Sequence, residues 1–364
     1  MWRTLGQEST IEWLSNSIRD GAVHHAYLLL GPEHVGKMTL ALDLACALNC
    51  ESDSPPCGEC TSCRRILEWK HADILVPPPV EEVDEDGQPD KDTTAGPSSS
   101  IRIQQMRNLD HMANLPPFEG RWKVILIDDA DRMTVASANY ILKTLEEPPP
   151  HVVWMLLARN EGLLLDTIVS RCQRVDVRPL PVPALKDVLM TRHGVEEPRA
   201  ELLSRVSMGM TGWAISAAQD DSVMAARSSR LEGIIQLIQM GPAARFDLAR
   251  ELDQQYRRDQ KGVMETLDVW TTWWRDLMMM KTGCADTIVN VDYVNDLNEQ
   301  AQNLTLELIR ESIAKLDEAR ENLALNVIPR LVFDSLVYSI PRIASASGTR
   351  ARAAEVVLDK SETE

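Results

Sequence analysis

Gly31-Pro32-Glu33-His34-Val35-Gly36-Lys37 has the residue types and spacing to hold a chain of phosphates. The stretch joins a short apolar run, Ala26–Leu30, to a segment of helical character, MTLALDLACAL. In that context the glycines let main-chain N–H groups close around phosphate, the start of the helix favours negative charge, and Lys37 reaches the terminal phosphates. The next residue in such a loop is ordinarily Ser or Thr, whose hydroxyl ligates Mg²⁺. Here it is Met38, and a thioether is a poor ligand for a hard cation. Thr39 stands one residue late, about 100° further round a helix. Downstream, KVILI (Lys123–Ile127) ends in Asp128-Asp129. A P-loop ATPase keeps its Mg²⁺-directed carboxylate at the first of these positions. The acid that polarises the attacking water follows and is usually the longer Glu; Asp129 withdraws the carboxylate by about one bond length. An acidic pair after a strand can also cap a helix. The loop reads as a site for ATP or ADP with poorly held Mg²⁺ and little hydrolysis.

A second constellation is Cys50-x6-Cys57-x2-Cys60-x2-Cys63, with Pro55, Pro56 and Gly58 between the thiols. Four sulfurs on one tight loop match a closed tetrahedral zinc site, structural because no ligand position is left open. CxxCxxC spacing also occurs in iron–sulfur proteins, although the proline usual after the fourth ligand is absent. Four buried thiols without a metal are the third alternative. The odd total of seven cysteines, five of them between positions 46 and 63, argues against a disulfide framework. Cys46 lies one helical turn before Cys50 and reads as a core residue, and Cys284 is isolated.

Positioning these groups requires an α/β domain. Residues 26–30, 123–127, 152–158 and, more weakly, 174–177 are short β-rich runs bounded by turn or charged residues, as buried parallel strands are. Residues 77–100 break the pattern: positions 81–92 hold seven acids against one lysine. Such a stretch is expected to be a disordered surface insertion, with a functional acidic arm as the alternative. After Pro179-Leu180-Pro181 strand signals stop. A compact helical stretch follows, with Gly209 and Gly212 at turns or caps. Long amphipathic helices occupy about 223–343, where Ile309, Ile313, Leu316 and Leu323 share a face and Leu331, Leu336 and Ile340 add apolar content. Trp270, Trp273 and Trp274 fall at helical spacing, as core or as interface anchors.

The chain of 364 residues is long enough for two or three domains at roughly 150 residues each. No apolar run approaches the ~18–20 residues of a membrane span, and MWRTLGQEST has no signal-peptide pattern. A cytoplasmic protein without a membrane role is expected. A net charge of −17 argues against holding DNA by bulk electrostatics.

Together with the P-loop, three elements carry a resemblance: the cysteine module after the P-loop helix, Ala138-Asn139-Tyr140-Ile141-Leu142-Lys143-Thr144-Leu145-Glu146-Glu147-Pro148-Pro149, and Ser170-Arg171-Cys172. Leu5-Gly6-Gln7, His25-Ala26-Tyr27 and Leu323-x2-Asn326-Val327-x-Pro329-Arg330-Leu331 agree with it. In this order they resemble the clamp-loader subunits of bacterial DNA polymerase III, an AAA+ family, and within it the delta-prime branch. The resemblance implies an AAA+ P-loop domain over 1–178 with a zinc module at 50–63, a small helical lid over 179–222, an all-α collar over 223–345 that joins subunits, and a flexible tail over 346–364. It implies delta and gamma/tau partners in a hetero-pentameric ring that loads a sliding clamp onto primed DNA. Arg171 would then reach into a neighbour's ATP site, where a guanidinium stabilises charge on the transferring phosphate; the alternative is an ordinary salt bridge. Asn160 aligns with the family's polar sensor in a segment shortened by about one residue. Gly212-Trp213-Ala214 carries tryptophan where a second sensor arginine is usual. Met38, Asp129 and Trp213 all weaken hydrolysis in cis while Lys37 and Arg171 remain. An active gamma/tau-type ATPase motor is the rival reading, and a zinc-dependent nucleic-acid-binding module is a third.

Overall fold

The structure, a computed structural model, describes residues 1–77, 100–325 and 327–343. The acidic stretch expected to be disordered lies outside the described residues except for its ends, Pro77 and Ser100. The expected tail lies wholly outside them. The chain divides into two compact units, residues 1–192 with 207–215, and 193–206 with the chain from 216 onward.

In the first unit the order is α1 (Glu8–Arg19), β1 (Ala26–Leu30), α2 (Lys37–Asn49), α3 (Thr61–Leu67), β2 (Ile74–Leu75), α4 (Ile103–Ala113), β3 (Lys123–Ile127), α5 (Val135–Glu146), β4 (Val152–Ala158), α6 (Asp166–Val169), β5 (Gln173–Asp176) and α7 (Val182–His193). The strands form one parallel sheet in the order β2-β3-β4-β1-β5. Every residue of β1, β3 and β4 is buried. Their near-continuous apolar sequences follow from helices covering both faces. Side chains alternate between two cores: Tyr27 and Leu29 pack with Leu40, Leu44 and Leu48 of α2, whereas Leu28 and Leu30 pack with Met106 of α4 and Ile141 of α5. Each fully buried Leu of this kind contributes about 1.5–3 kcal/mol. The expected strand at 174–177 lies one residue earlier, and β2, only two residues long, is too short to show a period in the sequence.

Three local devices set two helix starts and a tight turn. Gly36 at the head of α2 has φ +107°, a left-handed conformation that favours glycine. Thr134 accepts from Ser137 N–H at the head of α5. Gly209 (φ +82°) meets Leu180 so closely that a Cβ would lie 2.2 Å from the Leu180 carbonyl oxygen.

The second unit is helical: α8 (Glu197–Val206), then, after α9 (Thr211–Gln219), α10 (Asp221–Gln239), α11 (Pro242–Arg258), α12 (Gln260–Lys281), α13 (Val294–Asn303), α14 (Leu306–Ala324) and α15 (Pro329–Ser339). Trp270, Trp273 and Trp274 of α12 are at most 1% exposed, with Trp270 Nε1 donating to Arg230 O and Trp273 Nε1 to Gln300 Oε1, both at 3.0 Å. They are core, and an interface role has no exposed face to use. Ile309, Leu316, Leu323, Leu336 and Ile340 join the same core. Leu331 does not; it is 60% exposed, because it lies on the outer side of α15.

Two buried polar groups fasten this core. Arg245 donates to the carbonyls of Leu237, Val337 and Ile340, closing the C-terminal ends of α10 and α15. Asp276 accepts from Val289 N–H, Asn290 N–H and the Asn290 amide, holding the loop before α13.

Candidate functional site

The phosphate-type loop leaves the C-terminal end of β1, between β4 and β5, where ligands of parallel α/β sheets collect. Gly31 N–H donates to Ala158 O at 3.2 Å, and a Cβ on Gly31 would fall 2.3 Å from Val177 O, so only glycine passes between the flanking strands. The first amides of α2 have no side-chain cap, the condition under which a helix start takes an anion. Lys37 Nζ donates to Gly31 O at 2.7 Å and Pro32 O at 2.8 Å. Burial pushes its ammonium below the ordinary lysine value, and Asp128, Asp129 and Glu33 oppose that shift.

Met38 packs against the core cluster containing Leu29, Leu40 and Leu44. The position that would carry a Mg²⁺-ligating hydroxyl is therefore used for packing, and Thr39 is the next residue round α2. Asp128 ends the strand exposed. Asp129 has φ +48° and stands 3.4 Å from the Arg132 guanidinium. It precedes a short turn at Ala130–Arg132 without a capping bond from its own side chain, while Asp128 Oδ1 accepts from Asp129 N–H at 3.0 Å.

Asn160, at the end of β4, accepts from Gly162 N–H at 3.0 Å and so caps the following turn. Beside it Arg159 is ion-paired with Glu33 of the loop, a link that the sequence pattern did not reveal. The start of α9 also reaches the loop: Thr211 Oγ1 donates to Val35 O at 3.0 Å and Gly212 N–H to His34 O at 2.7 Å. Trp213 is thus held one residue from a direct contact with the phosphate-type loop.

Arg171 is not part of this site. Gln173 pairs with Tyr27, three strand residues or about 10 Å along β1 from Leu30, and Arg171 lies further back still. Its side chain is 32% exposed and ion-paired with Glu146 at the end of α5. Arg171 Nε donates to Glu146 Oε1 at 2.9 Å, and Nη1 donates to Thr167 O at 2.9 Å.

The thiols of Cys50, Cys57, Cys60 and Cys63 lie within 4.8 Å of one another. Zinc–sulfur bonds of about 2.3 Å in a tetrahedron place sulfurs about 3.8 Å apart, and Cys57 Sγ to Cys63 Sγ is 4.0 Å. Main-chain N–H groups turn toward the sulfurs: Cys57 N to Cys50 Sγ at 3.4 Å, Cys60 N to Cys57 Sγ at 3.2 Å and Cys63 N to Cys60 Sγ at 3.4 Å. Such donors favour thiolate, and the N–H groups of Cys60 and Glu59 draw the Cys57 thiol down to about 6. Burial drives the Cys63 thiol in the opposite direction. The donor set and spacing fit a tetrahedral soft-metal site. Cys46 is buried behind it, its thiol pushed up to about 11. The cluster begins where α2 ends; that helix of 13 residues is about 20 Å long, so the sulfurs stand far from the phosphate-type loop.

The first unit is thus a P-loop α/β domain carrying a four-thiol module, and comparison with known proteins gives its family. Residues 6–181 match the family model described as DNA polymerase III, delta subunit, and residues 224–335 match the one described as DNA polymerase III, delta subunit, C terminal. The chain is 26% identical over 339 residues to the delta' subunit of DNA polymerase III from Bacillus subtilis, covering 92% of this chain and 97% of that protein. It is 36% identical over 219 residues to the tau subunit from Salmonella typhimurium, covering 58% of this chain and 31% of that one. The tau subunit from Escherichia coli is 35% identical over the same length, again with 31% of that protein covered, so the chain spans about a third of these tau relatives. A solved structure of a gamma subunit-related protein from Thermotoga maritima aligns with TM-score 0.48 at 19% identity, over 90% of this chain and 97% of that one. The chain belongs to the clamp-loader subunits of DNA polymerase III. Among the described residues no helix is long and apolar enough to cross a membrane.

Proposed function

We propose that this chain is a delta-prime-like subunit of the DNA polymerase III clamp loader and supplies Arg171 to the triphosphate site of an adjoining ATPase subunit. In this reading the AAA+ domain spans 1–178, the lid 179–222 and the collar 223–345. The partners are delta and gamma/tau subunits in a five-membered ring in the cytoplasm, and the clamp and primed DNA are met through the complex. The observation that carries the reading is Met38: its partly buried side chain packs against the apolar core where a hydrolysing loop needs a hydroxyl. Asp129 and Trp213 weaken the site in the same sense. Arg171, by contrast, remains at the surface and too far along the sheet to serve its own loop. Cys50, Cys57, Cys60 and Cys63 would hold a structural Zn²⁺ that ties the start of α3 to the end of α2.

A gamma/tau-type motor is the second reading, favoured by the higher identity of the tau relatives over the segment they share. The two separate on one experiment, steady-state hydrolysis by the purified chain set against the reconstituted loader. The delta-prime reading expects negligible turnover by the chain alone and a fall in DNA-stimulated turnover of the loader with Arg171→Ala. Brisk hydrolysis by the solitary chain would establish the motor instead.

A further inference from the structure

Arg171 is not a loose surface arginine; its own chain fixes it on two sides. Glu146, the last residue of α5, accepts through the single oxygen Oε1 from both Nε and Nη2. On the opposite edge Nη1 donates to Thr167 O at 2.9 Å and to Ser170 Oγ at 3.3 Å. A guanidinium has five N–H groups. Among the described residues these four contacts leave one, on Nη2, for an oxygen outside the chain.

We infer that Glu146 is a positioning residue for Arg171: it holds the guanidinium plane ready before a neighbour's phosphate arrives. The inference rests on the arginine-donating reading above. A long exposed arginine samples many rotamers, and ordering them on docking subtracts from the contact it makes. The carboxylate removes that freedom in advance. Because both of its contacts converge on one oxygen along the side edge of the guanidinium, the carboxylate leaves the outward Nη2 hydrogen uncovered. Glu146 is itself half-exposed, with 51% of its side chain accessible, so it has little part in the core of the unit. The conformation of the arginine is what it controls.

The test uses the reconstituted loader with full-length chains carrying Glu146→Ala, Glu146→Asp or Arg171→Ala, each with an unchanged melting temperature. DNA-stimulated ATP turnover is resolved into kcat and KM. Misplacing a catalytic contact by an ångström costs up to about a hundredfold. A tethered arginine that can still find its place by chance loses less, and Glu146→Ala is expected to lower kcat about tenfold with KM for ATP unchanged. Glu146→Asp, which keeps the charge on a shorter stem, recovers part of the loss. Normal or raised kcat in Glu146→Ala, alongside a fall in Arg171→Ala, overturns the inference alone. Normal kcat in Arg171→Ala overturns the arginine-donating reading, and the role of Glu146 falls with it.

Discussion

Replacing Met38 with threonine tests the substitution on which the proposed loss of hydrolysis at this loop chiefly rests. The side chain at 38 packs against the cluster of Leu29, Leu40 and Leu44, so Met38→Thr loses contacts there. At about 0.8 kcal/mol per buried methylene, and with Met38 only partly buried, the loss comes to about 1–2 kcal/mol. For a unit of this size each kcal/mol lowers Tm by about 2–4 °C. Against this the variant gains a hydroxyl where Mg²⁺ is ordinarily ligated. Even groups that merely orient a metal's ligands change affinity by about 10–100-fold. A direct ligand should therefore tighten ATP binding at least tenfold when Mg²⁺ is added, about 1.4 kcal/mol. The bonds of Lys37 to Gly31 O and Pro32 O must open in both proteins, so their cost cancels from the comparison. The assay is fluorescent-ATP titration with and without Mg²⁺, beside a thermal melt. The expected signature is opposed: lower Tm, stronger Mg²⁺-dependent binding. Hydrolysis stays low, because Asp129 and Trp213 are unchanged. An equally large Mg²⁺ effect in the unsubstituted chain, or none in a folded Met38→Thr, refutes the argument.

Arg171→Ala should leave Tm nearly unchanged, since a half-exposed ion pair contributes about 0–1 kcal/mol. It should nevertheless cut turnover at the neighbour's site by up to about a thousandfold, read by stimulated ATPase of the loader. Removing metal with a chelator, or replacing Cys57 and Cys60 with serine, should lower the melting temperature of the first unit, with bound zinc counted by atomic absorption; a metal-free chain that melts normally contradicts a structural zinc site. Asp276→Ala leaves buried N–H groups at Val289 and Asn290 without their acceptor and should destabilise the second unit by about 3 kcal/mol, measured in urea. Burial also holds the Asp276 carboxyl above its ordinary value, so the folded state binds that proton more readily than the unfolded. This contribution to stability declines as pH rises past the ordinary aspartate range, and Asp276→Asn should remove that dependence.

Four of the five strands, the last of them one residue out, and both ends of the phosphate-type loop were legible because each rests on a short-range signal: an apolar run, a glycine, a lysine at fixed spacing. The four thiols were legible for the same reason, since all lie close together in sequence, between the end of α2 and the first turn of α3. The partners of these groups were not. Glu33 meets Arg159 across two strands, and Glu146 meets Arg171 across 25 positions; charged residues at such separations have no period that marks them as a pair. The tryptophans of α12 show why spacing alone leaves core and interface open. A helix stripe is apolar either way, and only the burial of all three side chains, with Arg230 O and Gln300 Oε1 meeting the indoles of Trp270 and Trp273, decides it. Leu331 fails in the reverse direction: it is apolar and in phase with nothing that covers it.

The departures from a hydrolysing loop share a physical consequence. Residues 31–37 are braced internally by Lys37 on the Gly31 and Pro32 carbonyls, and fastened outward by Glu33 to Arg159 and by Val35 and His34 to Thr211 and Gly212. The Gly212 approach is so close that a Cβ would lie 2.9 Å from His34 O. At about 1 kcal/mol net for each hydrogen bond, moving this loop would cost several kcal/mol before any ligand contact is made. A site that cycles through binding, hydrolysis and release needs alternative arrangements separated by little free energy. A subunit that only offers an arginine needs the opposite, a shoulder whose position does not change with nucleotide. The packing of Met38 and the stitching of the loop both favour that second condition, and both lie in the same unit as Arg171. Stiffness around the loop rests on Met38 and its neighbours, and the placing of Arg171 rests separately on Glu146, Thr167 and Ser170.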